Sequence, residues 1–275
     1  MQENGLVAEL TEIVGKRHVI TDQKSMQRFC KGYRSGEGEA LAVVRPGTLL
    51  EQWKVVEACV AADVIIIMQA ANTGLTEGST PKDTYDRDVV ILSTNRMNQI
   101  QVLDNGKQII SFPGATLFSL EKLLRPFDRQ PHSVIGSSSI GASIIGGVCN
   151  NSGGSLCERG PSYTELALYA RIKTDGKLEL VNELGIELGD DPETILTRLE
   201  KGEYAEDDIE KTNRNASDTK YPEVIRDVDA DTPSRYNSDT SRLYGISGCA
   251  GKLVVFAARL DTYAKNEREK VFYLG

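Results

Sequence analysis

The chain has 275 residues, of which 40% are hydrophobic and 26% are charged, a composition typical of a globular protein. Its net charge of −8 argues against the basic surface of nucleic-acid-binding proteins, so we expect no nucleic-acid partner. The five cysteines form no CxxC pair, and no cluster of His, Cys, Asp and Glu has metal-ligand spacing. We therefore expect reduced thiols and no metal site.

The N-terminal part predicts a helix followed by a strand–helix–strand unit. Apolar residues at 6, 10, 13 and 14 fall on one helical face, and Gly15 is a natural end for that helix. The apolar runs 41–44 and 65–68 are typical of buried strands. Thr48 lies three residues before Glu51, which predicts a capping box at the start of a helix between these two strands. At this spacing the two strands should be parallel.

The middle of the chain predicts a further strand at 89–92 and then a hairpin. Residues 99–103 and 108–112 read as two strands joined by the turn Asp104-Asn105-Gly106. Thr116 is expected to cap a helix that runs through Leu124.

The last third predicts a strand at 166–172 and another at 178–181, joined by a turn at Asp175-Gly176. Residues 183–240 are acidic and poorly patterned, apart from a short helix at 192–199. We interpret this segment as a surface insertion rather than core. Residues 270–275 form a strand-like apolar run, which we interpret as the start of a further, missing domain.

Two glycine-rich segments, 69–79 and 135–154, are candidates for ligand binding. Small residues let the backbone approach a ligand and direct N–H donors at a diphosphate. A flexible surface loop is the alternative, but isoleucines at 135, 140, 144 and 145 argue against it. The Rossmann fingerprint is missing from the turn at Arg45-Pro46-Gly47, and the 248–253 segment fails the P-loop pattern.

Several strings resemble the vanillyl-alcohol-oxidase type of FAD-binding module over nearly the whole chain. They are VVRP at 43–46, the loop at 70–74, FPG at 112–114, the loop at 136–154 and the turn at 248–255. Three longer strings resemble the membrane-associated, quinone-dependent D-lactate dehydrogenases of bacteria. These are QAANTGLTEGSTP at 69–81, PHSVIGSS at 131–138 and SGCAGKL at 247–253.

The resemblance implies an α+β fold of two subdomains that hold an extended FAD. It places the module at residues 1–265, with a split near 101–105, an acidic insertion at about 183–240, and the start of a cap or substrate domain at 266–275. It implies a diphosphate site at Ala70, Ala71, Asn72, Thr73, Gly74, Gly78 and Ser79, and a flavin and ribityl side at Gly136, Ser143 and Gly153, with backbone contacts from Val255. The 70–74 loop has no His or Cys, so the FAD should be noncovalent.

The implied activity is hydride transfer from C2 of D-lactate to flavin N5, with electrons passed to a membrane quinone. Such enzymes act at the cytoplasmic side of the bacterial inner membrane, and the elements that contact the membrane surface are expected in the missing part. We identify no catalytic residue in this chain and expect it to be inactive alone. His132 is assigned a structural or flavin-contacting role, with a catalytic role as the alternative. Cys149 and Cys157 are interpreted as small buried residues, with redox activity as the alternative.

Three alternatives stay open on the sequence. The module could belong to another 2-hydroxy-acid dehydrogenase, for glycolate or 2-hydroxyglutarate. It could be a noncatalytic module that carries or senses flavin. It could also be a structural domain that binds nothing and has merely flexible glycine loops.

Overall fold

The computed structural model describes residues 2–132, 140–153, 159–210, 213–231, 243–268, 270 and 272. Its helices are α1 (Gln2–Val14), α2 (Gln23–Cys30), α3 (Leu49–Ala61), α4 (Leu117–Leu124), α5 (Ile144–Cys149), α6 (Pro192–Lys201) and α7 (Tyr221–Val224). Its strands are β1 (Val19–Ile20), β2 (Ala42–Val44), β3 (Ile65–Gln69), β4 (Val89–Ser93), β5 (Ile100–Leu103), β6 (Gln108–Ser111), β7 (Arg129–Gln130), β8 (Ala167–Ile172), β9 (Leu178–Asn182), β10 (Val254–Asp261) and β11 (Tyr263–Ala264).

The first sheet has the strand order β1-β2-β4-β3. The predicted parallel arrangement of β2 and β3 is confirmed, because each of them pairs in parallel with β4. They are not neighbours, however, since β4 lies between them. All five residues of β4 are buried, as expected for a central strand covered on both faces.

Helices cover both faces of this sheet. Apolar side chains of α1 and α3 pack against Ala42, Val44, Val90 and Leu92 on one face. On the other face α2 packs against the alternate residues of the same strands, among them Val43 and Ile91. Thr48 caps α3 by accepting a hydrogen bond from Glu51 N at 3.0 Å. The capping box differs from the prediction, because Glu51 Oε2 accepts from the N–H of Gly47, at 2.6 Å, and not from that of Thr48.

The second sheet is antiparallel, with the strand order β5-β6-β10-β8-β9. The predicted hairpin of β5 and β6 is confirmed, and Asn105 and Gly106 in its turn have positive φ angles of 51° and 85°. Helices α4 and α5 cover one face of this sheet. Helix α6 covers the other face together with Leu49 and Trp53 of α3, so α3 contributes to the cores of both sheets.

The interpretation of residues 183–240 as a surface insertion is wrong for its first part. Six apolar residues of this part are buried in the core of the second sheet, namely Leu184, Ile186, Leu188, Ile195, Leu196 and Leu199. The charged residues that make this segment acidic lie between these buried positions and are exposed or half-buried. The predicted helix at 192–199 is confirmed as α6, which Asp191 caps by accepting from Thr194 N at 3.0 Å.

The chain passes from the first sheet to the second between Ser93 and Ile100, a few residues before the subdomain split predicted at 101–105. The module end at residue 265 and the further domain from residue 266 stay predictions. The strand-like run at 270–275 lies outside the described residues except for residues 270 and 272. Among the described residues, no helix is both long and apolar enough to cross a membrane.

Candidate functional site

A cleft of about 730 Å³ lies where loops of the two sheets meet, a size within the usual range for small-molecule sites. Four segments form most of its walls: residues 33–34 after α2, residues 68–79 at the end of β3 and after it, residues 140–153 around α5, and residues 250–255 leading into β10. Thr94 and Pro113 complete the lining. The cleft therefore brings both predicted glycine-rich segments to one place.

Side-chain hydrogen bonds fix the shape of the loop at 70–79. The buried amide of Gln69 donates to the carbonyls of Phe29 and Ser79, at 2.8 and 2.7 Å. Asn72, whose φ angle is 52°, donates from Nδ2 to the carbonyl of Lys31 at 2.8 Å. Its Oδ1 accepts from the Ser79 hydroxyl at 2.7 Å. Hydrogen bonds thus hold the loop in one shape, and the side chains of Asn72 and Ser79 make two of these bonds.

The backbone of the same loop leaves its donors unused. Among the described residues, no backbone or side-chain oxygen accepts a hydrogen bond from the N–H groups of residues 70–79. Backbone N–H groups are strong donors, and a row of them in a turn forms a binding site for anions. Because the loop lines the cleft, these N–H groups are candidate donors to an anionic group bound there.

Four glycines of the cleft face open space. A Cβ added to Gly74 or Gly251 would meet no atom within 4 Å, and one added to Gly78 or Gly147 would be 3.8 Å from its nearest neighbour. Gly146 differs, because an added Cβ would clash with a neighbouring side chain. No contact within the described fold requires a glycine at the first four positions, so these glycines leave room for a ligand, although Gly251 also has a positive φ angle of 85° that favours glycine.

The opposite wall is held by the N-terminus of α5 and the turn before β10. Ser143 caps α5 by accepting from Gly146 N at 3.1 Å. At the other end of α5, the carbonyls of Val148 and Cys149 accept from Gly248 N and Ala250 N, at 3.1 and 2.9 Å. These bonds join the second glycine-rich segment to the turn that precedes β10.

Val255 lies at the base of the cleft on β10, next to a register shift in that strand. Its carbonyl oxygen accepts from Nε2 of the buried Gln52 on α3, at 3.0 Å. A ligand that contacts the backbone of Val255 must therefore share the carbonyl oxygen with Gln52 or contact a different backbone atom of Val255.

Ten of the eleven predicted cofactor-binding residues line this one cleft: Ala70, Ala71, Asn72, Thr73, Gly74, Gly78, Ser79, Ser143, Gly153 and Val255. The eleventh, Gly136, lies outside the described residues. Their common location fits the assigned roles, and which part of a ligand each of them contacts stays a prediction.

Tyr33 and Arg34 line the cleft although they lie far from both predicted glycine-rich segments in the sequence. They reach the cleft from the turn after α2, which is closed by a hydrogen bond from Gly32 N to Gly36 O at 2.8 Å. Arg34 is the one Lys, Arg, Asp or Glu among the described lining residues. Gly32 and Gly36 mark the turn in the sequence, but only the fold brings it beside the loop at 70–79.

His132 does not line the cleft. It is 7% exposed, its Nε2 lies 3.3 Å from the carbonyl oxygen of Arg159, and burial lowers its pKa. These features fit the structural role assigned to it. Cys149 lines the cleft, while Cys157 lies outside the described residues. Within the described part of the chain, no group of three or more His, Cys, Asp and Glu could hold a metal ion.

Comparison with known proteins gives one family match and several relatives. Residues 40–179 match the family described as "FAD binding domain". The chain is 59% identical over 268 residues to the quinone-dependent D-lactate dehydrogenase of Escherichia coli (strain K12), covering 97% of this chain and 47% of that protein. It is 54% identical over 276 residues to the Haemophilus influenzae protein of the same name, covering 100% and 49%. The chain thus spans about half the length of these relatives.

Solved structures share the fold at low identity. Alkyldihydroxyacetonephosphate synthase superposes with a TM-score of 0.61 at 14% identity, covering 95% of this chain and 40% of that one. p-Cresol methylhydroxylase superposes with a TM-score of 0.59 at 16% identity, covering 97% and 44%. The predicted α+β FAD-binding module is confirmed by this likeness together with the family match. Because that match spans just over half of the chain, the chain belongs to the family of FAD binding domains.

Proposed function

We propose that this chain is the FAD-binding half of a D-lactate:quinone oxidoreductase and holds FAD noncovalently in the cleft. The observation that carries the proposal is the loop at 70–79, whose N–H groups have no acceptor among the described residues and whose glycines face open space. Identity of 59% to a quinone-dependent D-lactate dehydrogenase supports this substrate pair over glycolate or 2-hydroxyglutarate.

The residues of the cleft fit an extended dinucleotide. The N–H groups of residues 70–79 and the guanidinium of Arg34 suit the diphosphate, whose negative charge needs donors close to its oxygens. Ser143, Gly147 and Gly251 belong to the facing wall and leave space beside it for the rest of the cofactor. The described lining has no histidine, and the pKa of its single cysteine, Cys149, is raised beside Cys249, which supports noncovalent binding.

Bound FAD would supply the electron acceptor, taking a hydride at N5 from C2 of D-lactate before the electrons pass to a quinone. Oxidation of a hydroxy acid also needs a base near the hydroxyl group. Among the described residues that line the cleft there is no His, Lys, Asp or Glu. We therefore assign the base, the quinone site and the contacts with the cytoplasmic face of the inner membrane to parts of the protein outside this chain.

The first experiment is reconstitution of the purified chain with FAD, followed by a visible absorption spectrum and acid precipitation. We expect flavin bands that remain with the protein through gel filtration and move entirely to the supernatant with acid. Flavin that stays in the acid pellet would contradict noncovalent binding. A chain that is folded by circular dichroism but takes up no FAD would contradict the cofactor assignment.

A pair of glycine variants tests the location of the site. Gly74→Val places a branched side chain where no atom lies within 4 Å, so the fold should tolerate it while the cleft is filled. We expect FAD affinity to fall about 100-fold, corresponding to about 2.7 kcal/mol, with an unchanged urea midpoint. Gly5→Val is the matched control, because Gly5 also has no atom within 4 Å of an added Cβ but lies in α1. Equal affinities of the two variants would place the site elsewhere.

A reduction experiment tests whether the catalytic base lies in this chain or in the rest of the protein. Under anaerobic conditions, D-lactate should leave the flavin bands of the reconstituted chain unchanged, whereas dithionite should bleach them. Bleaching by D-lactate at a rate above that of L-lactate would show that the chain contains a catalytic base, contrary to our assignment.

A further inference from the structure

Two cysteines from distant parts of the chain meet beside the cleft, Cys149 at the end of α5 and Cys249 in the turn before β10. The end of α5 runs beside the turn before β10, where Gly248 N and Ala250 N donate to the carbonyls of Val148 and Cys149, at 3.1 and 2.9 Å. This pairing places Cys149 beside Cys249, and each thiol is close enough to shift the pKa of the other. Both are free thiols in the structure.

The surroundings of the two sulfur atoms differ. The N–H groups of Gly251 and Leu253 lie near Sγ of Cys249, where they favour its thiolate. The neighbouring Cys149 thiol contributes most to lowering the pKa of Cys249, and the N–H groups lower it further. Because backbone N–H groups surround Cys249, we take Cys249 as the nucleophile and Cys149 as the resolving thiol. Cys149 lines the cleft, which gives a small oxidant a route to the pair.

We propose that Cys149 and Cys249 are a redox modification site that closes to a reversible disulfide when a hydroperoxide oxidises it. The Cys249 thiolate attacks one oxygen of the hydroperoxide, so the O–O bond breaks and Cys249 becomes a sulfenic acid while an alcohol leaves, or water in the case of hydrogen peroxide. The Cys149 sulfur then attacks the Cys249 sulfur, the S–O bond breaks, and the hydroxide leaves as water with the proton of Cys149. In total, two thiols lose two electrons and two protons, and the hydroperoxide takes them up.

The disulfide would join α5 to the turn before β10, two elements that both line the cleft. Oxidation would then fix one wall of the cleft. The cross-link itself does not depend on the proposed function, since it needs only the two thiols and an oxidant.

The chain provides internal controls for this chemistry. Burial raises the pKa of Cys30, and burial raises that of Cys59 to about 12, so neither should react as a thiolate near neutral pH. Cys157 lies outside the described residues and follows α5 in the sequence, so it is the competing partner to be tested.

The experiment is peptide mapping of the full 275-residue chain after oxidation. The chain is reduced, exchanged into buffer, treated with a stoichiometric amount of hydrogen peroxide, alkylated and digested without reductant. We expect a peptide pair joined through Cys149 and Cys249 as the dominant oxidised product, which a thiol reductant reverses. Recovery of both cysteines in alkylated form, or a cross-link of either one to Cys157, would overturn the proposal.

Variants sharpen the assignment of roles. Cys149→Ser should lose the cross-link and gain a dimedone adduct at Cys249, because the sulfenic acid then has no resolving thiol. Cys157→Ser is the matched control and should keep the cross-link at the level of the unaltered chain. Dimedone labelling of Cys30 or Cys59 to the same extent as Cys249 would contradict the proposed selectivity. Mapping of the unaltered chain decides the central question even where a variant folds poorly.

Discussion

The loop at 70–79, predicted to bind a ligand, and the segment at 183–209, which belongs to the predicted surface insertion, use their backbones in opposite ways. In the segment, Glu187 N donates to Asp208 O at 2.9 Å and Glu183 N donates to Ala167 O at 2.8 Å. In the loop, among the described residues, the N–H groups find no acceptor, although side chains hold the loop in place.

The side chains differ in the same way. Leu184, Leu188 and Leu199 are buried in the core of the second sheet, so the segment stabilises the fold. The loop presents glycines to open space and contributes little apolar surface to that core. Composition alone therefore does not separate core from surface or from binding site. The backbone N–H groups distinguish the two regions here, because those of Glu183 and Glu187 are paired within the fold and those of the loop have no acceptor among the described residues.

The largest expected effect on stability comes from Leu199→Ala in the segment. Leu199 has no exposed surface, so its truncation should lower the free energy of unfolding by about 2–4 kcal/mol through lost burial and a cavity. Urea unfolding measures this loss. Val228→Ala is the control, because Val228 is 74% exposed and should change the stability by less than about 0.5 kcal/mol. Equal effects would restore the interpretation of 183–209 as a surface insertion.

A smaller effect is expected from Ser79→Ala in the loop. The variant removes the hydroxyl that donates to Asn72 Oδ1 at 2.7 Å. Loss of this bond should destabilise the folded conformation of the loop by about 1 kcal/mol. FAD affinity should fall about fivefold, within the range of one such bond, while the urea midpoint changes little. Ser35→Ala, at an exposed serine of the neighbouring turn, should leave the affinity unchanged. A larger loss in the Ser35 variant would contradict the role given to Ser79.

The smallest effect concerns Glu200 near the end of α6. Burial raises the pKa of Glu200, with a further contribution from Glu51, so the folded state favours the protonated form. Protonated Glu200 contributes stability to the folded state that is fully present below the unfolded pKa near 4.5. This contribution is lost as the pH rises through the pKa of Glu200 in the folded state. Glu200→Gln should therefore raise the urea midpoint slightly at pH 7, with a gain that shrinks toward pH 4.5.

Glu193→Gln is the matched control on the same helix. Glu193 lies in the first turn of α6, where a negative charge interacts favourably with the helix dipole, so its neutralisation should lower the midpoint slightly. The same sign of change in both variants would contradict the assigned environments.

Local signals in the sequence were sufficient for much of the fold. The turn at Asp104-Asn105-Gly106 and the caps at Thr48 and Thr116 act within a few residues, and the structure has the hairpin and the capped helices they predict. The place of β4 between β2 and β3 could not be predicted, because strand order is decided by packing between distant segments.

The errors have physical causes as well. Leu184, Ile186 and Leu188 alternate with other residues as in a half-buried strand, but the prediction gave more weight to the acidic composition of the whole segment. Both glycine-rich segments were assigned to one site, and the structure brings them to one cleft. Arg34 had no local signal, since it reaches the cleft only because the turn after α2 contacts the loop at 70–79.

Hydrogen exchange of the chain with and without FAD tests the central claim most directly, namely that the N–H groups of residues 70–79 hold the cofactor. We expect peptides from this loop to exchange rapidly without FAD and about tenfold or more slowly with it. Peptides that contain Glu183 and Glu187 should exchange slowly in both states, because their N–H groups already have acceptors. Unchanged exchange in the loop at saturating FAD would contradict the claim.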